Sequence, residues 1–206
     1  MVNRIRALLL VGVIGLAPGL ARAAEMPDPA NFVDGLVASA LQTLRNPALA
    51  DSEREAQLGA MLTRDFDIPR IARYVLGRYW TTASDAERQA FAQLFQRWVV
   101  RTYASRLGQY TAETVKVTGA RAESNSAAVV TSQIVHPSGP PTKVEWRVKR
   151  EGDGYRILDI DVEGVSMALT EREEIAATIQ RNGGTVASLN RTLEEKLRAD
   201  TAAAGQ

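Results

Sequence analysis

Apolar residues recur at helical spacing through the first half of the chain. Phe32, Leu36, Val37, Ala40, Leu41 and Leu44 predict a helix from about Pro29 to Arg45, which Asn46-Pro47 breaks. A second helix follows Asp51 or Ser52, with Leu58, Met61 and Leu62 on its apolar side. A third, short helix opens at Ile68-Pro69, where proline suits a first turn. It carries Ile71, Val75 and Leu76 and closes on Gly77. The longest helix has the clearest start, because Ser84 and Glu87 have the spacing of a capping box. Its stripe of Phe91, Leu94, Phe95, Trp98, Val99, Thr102 and Tyr103 runs to about Leu107, and Gly108 marks the exit.

The period then changes from helical to alternating. Val115 and Val117 alternate with polar neighbours, and Gly119 is expected to turn the chain. Ala127 to Val135 is rich in β-branched residues, and His136-Pro137-Ser138-Gly139-Pro140-Pro141 is a loop. Val144, Trp146 and Val148 alternate with Lys143, Glu145, Arg147 and Lys149, so one face packs and the other is wet. Glu151-Gly152-Asp153-Gly154 is a hairpin turn into a last strand, Tyr155 to Val162. Short turns imply an antiparallel sheet. The tail returns to helix, one capped by Thr170 and running to Gln180, another using Val186, Leu189, Leu193 and Leu197, with Ala199 to Gln206 frayed. The reading is α+β: a curved antiparallel sheet of about four strands against several helices, with no repeat and no linker.

The N-terminus reads as an address. Arg4 and Arg6 precede an apolar run from Ala7 to Leu16, too short to span a bilayer, and Ala21-Arg22-Ala23 is a small-x-small cleavage signal. Residues 1–23 are therefore expected to be a secretory signal and 24–206 a single exported domain. Cleavage would remove three arginines and no acid, taking the net charge from +1 to −2. Such a mixed surface offers nucleic acid nothing, and the chain has no cysteine for disulfides, thiolate metal sites or a thiol nucleophile.

Candidate chemistry is sparse. His136 is the only histidine and its loop supplies no partner for base or metal work. Asp159, Asp161 and Glu163 share a strand face but lack the close oxygen spacing of a calcium loop, so a solvated or salt-bridged face is the expectation. No phosphate loop, nucleophile elbow or paired-histidine helix is present, and no metal, cofactor or catalytic residue is expected. Aromatics are instead concentrated on or beside the middle helices: Tyr79, Trp80, Phe91, Phe95, Trp98, Tyr103 and Tyr110, with Trp146 on the sheet face that meets them. Periodicity is compatible with a filled core and with helices and sheet enclosing an apolar cavity.

The stretches Val75-Leu76-Gly77-Arg78-Tyr79-Trp80, Ala83-Ser84 with Glu87-Arg88, Phe91 to Phe95, and Thr102-Tyr103-Ala104 together resemble the MlaC (toluene-tolerance) family of periplasmic phospholipid-binding proteins. Later come Gly139-Pro140-Pro141 before Val144-Glu145-Trp146-Arg147, Asp159 to Val162 before Glu163-Gly164-Val165-Ser166-Met167, and Gln180-Arg181-Asn182-Gly183-Gly184. The first two helices match only in pattern. The resemblance implies an NTF-two-like or cystatin-like domain with an apolar cavity that takes acyl tails. Carried over to inward positions, it implies a lipid site of Leu76, Tyr79, Phe91, Phe95, Trp98, Tyr103, Val144, Trp146, Val148, Val165 and Met167. It further implies a monomeric periplasmic carrier working between an outer-membrane lipoprotein–porin complex and an inner-membrane ABC transporter with a membrane-anchored substrate-binding subunit. The alternatives are a hopanoid-related carrier, a structural or adaptor protein with a filled core, and an enzyme, such as an isomerase, which would need an acid or base inside the cavity.

Overall fold

The structure is a computed structural model and describes residues 28–107 and 113–204. The expected signal segment, Gly108 and Tyr110 lie outside the described residues. Four helices come first: α1 (Pro29–Leu44), α2 (Asp51–Asp65), α3 (Ile68–Leu76) and the one-turn α4 (Tyr79–Thr82). The long α5 (Asp85–Leu107) leads to strands β1 (Thr114–Ser124), β2 (Ala127–Val135), β3 (Thr142–Glu151), β4 (Gly154–Val162) and β5 (Val165–Ser166). Helices α6 (Met167–Arg181) and α7 (Val186–Ala204) complete the described chain. The sheet is antiparallel in the order β1-β2-β3-β4-β5, a meander built from consecutive pairs.

Local chemistry explains most boundaries. Asp28 caps α1 by accepting from the Ala30 N–H, and Asp67 caps α3 by accepting from Arg70 N–H. Gly77 closes α3 at φ 55°, a left-handed backbone that glycine reaches without strain. At α5 the Ser84 N–H donates to Glu87 Oε2 at 2.8 Å while the Glu87 N–H donates to Ser84 Oγ at 3.2 Å, so the capping box is formed.

Four expectations need correction. Gly119 does not turn the chain: β1 runs through it, and the shift in pairing between Val117 and Gly119 is a bulge. Helix α6 starts before Thr170, because the Ser166 Oγ accepts from the Leu169 N–H and so caps it. That earlier start takes Met167 and Ala168 out of the loop. The last helix continues past Ala199 to Ala204. The sheet also gains β5, a two-residue strand beyond the expected four.

The interior divides into three apolar clusters rather than one. In the first, α3, α5, α6 and α7 pack around Leu76, Phe91, Phe95, Ile179 and Leu189. In the second, α1 lies on the inner face of the sheet, where Val33 and Val37 meet Ala128, Val130, Val148 and Ile157. In the third, Leu44, Leu58, Leu62 and Ala104 join α1, α2 and α5. Phe66 packs against all three. It is pinned where they meet by a bridge to Ile157 and by the adjacent Asp67 N–H donating to the Ile157 carbonyl at 2.9 Å.

Candidate functional site

The junction of the three clusters is not filled. It holds a cavity of about 220 Å³, or about 1050 Å³ when all unfilled space out to its open mouth is counted. Each cluster supplies a wall. Helix α1 gives Leu36, Val37 and Ala40, helix α2 gives Leu58, Met61 and Leu62, and Ile68 and Ile71 come from α3. Phe95, Val99 and Tyr103 come from α5, Trp146 from β3, Leu158 to Ile160 from β4, and Met167, Ala168 and Glu171 from α6. Phe66 lies between them. The lining is almost wholly hydrocarbon and aromatic.

The sheet wall depends on one irregularity. Strands β3 and β4 change register between Arg147, which faces Asp159, and Val148, which faces Ile157. This bulge leaves Leu158 without a cross-strand partner, and Leu158 stands on the cavity wall. Trp146 is held by its indole N–H, which donates to the fully buried Ser132 Oγ at 2.8 Å. Asp159 ties the α6 wall to the sheet. Its carboxylate accepts from the Ser166 hydroxyl at 2.6 Å and from the Ala168 N–H at 2.9 Å. Asp161 accepts from the Gly164 N–H at 2.7 Å, so Asp159 and Asp161 serve the turn into α6, whereas the Glu163 carboxylate accepts from the Lys143 N–H on β3. His136 Nε2 lies 2.9 Å from Thr142 Oγ1 at the start of β3.

Of the eleven residues expected at the site, the structure brings Phe95, Tyr103, Trp146 and Met167 together on the cavity wall. Leu76 and Phe91 are instead buried in the helical cluster, with Trp98 and half-buried Tyr79 packed against it. Val144 and Val148 are buried but do not line the cavity; Val148 is fully buried beneath α1. Val165 is 57% exposed, so its expected inward position is wrong: it opens β5 directly after the turn, paired with Val162 at the end of β4. The α1 and α2 lining was missed although their apolar stripes were plain. A stripe tells which side of a helix faces inward, but not whether packing or empty space lies there.

Besides Asp159, two polar side chains interrupt the hydrocarbon. The Tyr103 hydroxyl donates to Glu171 Oε1 at 2.8 Å, joining α5 to α6. Burial chiefly raises the Glu171 pKa above 4.5, opposed by the tyrosine's hydrogen bond; burial chiefly raises Tyr103 too. A carboxyl whose folded pKa is raised takes up a proton more readily folded than unfolded. Stability from this group is therefore greatest below the unfolded value and is lost as pH rises through the window above 4.5. Glu171→Gln removes the ionisation. Relative to the wild type it is expected to gain stability between pH 4.5 and pH 7, read by urea denaturation at the two values.

The family model described as MlaC protein matches residues 34–195. The chain belongs to the MlaC family. The toluene tolerance protein ttg2D of Pseudomonas putida is 24% identical over 199 residues, covering 94% of this chain and 90% of that one. A phospholipid-binding protein from Ralstonia solanacearum, solved in complex with a phospholipid, superposes with a TM-score of 0.71 at 24% identity. That match covers 84% of this chain and 98% of the other. It shows that the α+β arrangement described above is the fold of a phospholipid-binding protein. Among the described residues no helix is long and apolar enough to cross a membrane.

Proposed function

We propose that this MlaC-family protein is a periplasmic phospholipid carrier whose three-cluster cavity takes the acyl tails. The observation that carries the reading is the cavity's lining, in which only the Tyr103–Glu171 pair and Asp159 interrupt hydrocarbon. The lipid carried by the Ralstonia relative supports it. Phe95, Tyr103, Trp146 and Met167 are its contacts among the residues expected from sequence, joined by Leu36, Ala40, Met61, Ile71, Leu158 and Ile160. Residues 1–23 act as the export signal and 24–206 as the mature domain.

Burying a methylene is worth about 0.8 kcal/mol, so a tail of about 16 carbons contributes roughly 10 kcal/mol or more against water. The tails supply affinity without a metal or nucleotide. The same term makes release into water slow, so delivery requires an apolar path offered by a partner. The partners of this reading are the inner-membrane ABC transporter complex and the outer-membrane lipoprotein–porin complex, and the cargo maintains outer-membrane lipid asymmetry. The test is transfer of labelled phospholipid from the protein to acceptor liposomes, with and without the purified inner-membrane complex. The reading expects transfer to be much faster with the complex; equal rates would contradict it.

One observation favours a second reading. An isomerase on this fold would need an ionisable group at the cavity, and Glu171 is one, its pKa raised by burial. Glu171→Gln would abolish such an activity outright, whereas a carrier keeps delivering lipid.

A further inference from the structure

Charged neighbours outside the cavity lining flank the Tyr103–Glu171 pair. One turn beyond Tyr103 on α5, the Arg106 guanidinium lies 6.0 Å from the centre of the Tyr103 ring. One turn beyond Glu171 on α6, Glu174 is exposed. Residues three apart on a helix are neighbours on one face, so α5 presents a phenol and a guanidinium where α6 presents two carboxylates. The four groups feel one another: Arg106 favours the ionised forms of Tyr103 and Glu171, and Glu174 disfavours them. Asp159 also reaches the wall, but its carboxylate is occupied by Ser166 and the start of α6.

We propose that Arg106, Glu171 and Glu174 form a headgroup subsite that favours a zwitterionic, amine-bearing phospholipid over an anionic one. The inference rests on the carrier reading. A guanidinium matches the phosphodiester common to both lipid classes, and an ammonium brings three donors to carboxylates that can only accept. A headgroup without the amine brings its phosphate to one arginine and two acids, and leaves those acids uncompensated. Glu171 gains most from the amine, because its half-buried carboxylate is the one whose ionisation the protein disfavours.

The experiment equilibrates delipidated protein with vesicles of equal phosphatidylethanolamine and phosphatidylglycerol, recovers it, and measures both lipids in the extract. The subsite predicts about a threefold enrichment of phosphatidylethanolamine, the size expected of a partly exposed ion pair. Glu171→Gln and Glu174→Gln should each move the ratio toward that of the vesicles, and Arg106→Gln should lower recovery of both lipids. Glu174 is exposed, so its variant keeps the test valid if Glu171→Gln folds poorly. Wild-type protein that recovers lipid in the vesicle ratio overturns the subsite and leaves the carrier intact. Wild-type protein that recovers no lipid overturns the carrier reading and the subsite with it.

Discussion

Val148→Asp is expected to leave the protein unfolded or insoluble. Val148 is fully buried, faces Ala128 and Ile157 across its neighbouring strands, and lies under α1 in the cluster containing Val33. Aspartate is close to valine in size, so space is not the difficulty. The cost is a carboxylate with no buried partner, about 5 kcal/mol or more, set against a total stability of about 5–15 kcal/mol for an ordinary domain. Lys143 on the same strand is the control. It is exposed and pairs with Glu145 at 3.4 Å, and Lys143→Gln should change stability by less than about 1 kcal/mol. Chemical denaturation reads both. Equal losses from the two positions would mean that the inner face of β3 has been assigned to the wrong residues.

Ala40→Trp should fold normally and lose its lipid. Ala40 stands half-buried on the cavity wall, so an indole there enters unfilled space instead of compressing a packed core. It excludes hydrocarbon from the volume that the tails need. Even two displaced methylenes, at about 0.8 kcal/mol each, are worth roughly tenfold in affinity. The expected result is an unchanged denaturation midpoint with lipid recovery reduced about tenfold or more. Full lipid content in a folded Ala40→Trp protein would show that the tails lie elsewhere.

These substitutions show where sequence pattern reaches its limit. Val148 and Trp146 are equivalent in the alternation of β3, and both point inward. One meets α1 and the other meets empty space, a difference set by the bulge at Leu158 and by how α1 and α2 approach the sheet. Local signals were readable where the physics is local. Ser84 and Glu87 cap α5, Pro69 and Gly77 bracket α3, and the charged face of β3 is outward. Gly119 was misread because glycine serves turns and bulges alike, and only pairing with β2 distinguishes them.

The site was partly legible for the same reason. The aromatic stripe of α5 marked Phe91, Phe95 and Tyr103 as inward, but that helix packs against α3 and α7 near one end and borders the cavity toward the other. Phe91 therefore fills a core while Phe95 and Tyr103 border space. The Tyr103–Glu171 bond joins residues far apart in sequence, across the whole sheet, and no periodicity could have paired them.

Native mass spectrometry of the purified mature protein, followed by lipid extraction, tests the central claim most directly. The account predicts a mass increment matching phospholipid without added metal or nucleotide, and its marked loss in Ala40→Trp. A wild-type protein that flies at its bare chain mass, and stays bare after incubation with phospholipid vesicles, would contradict the account.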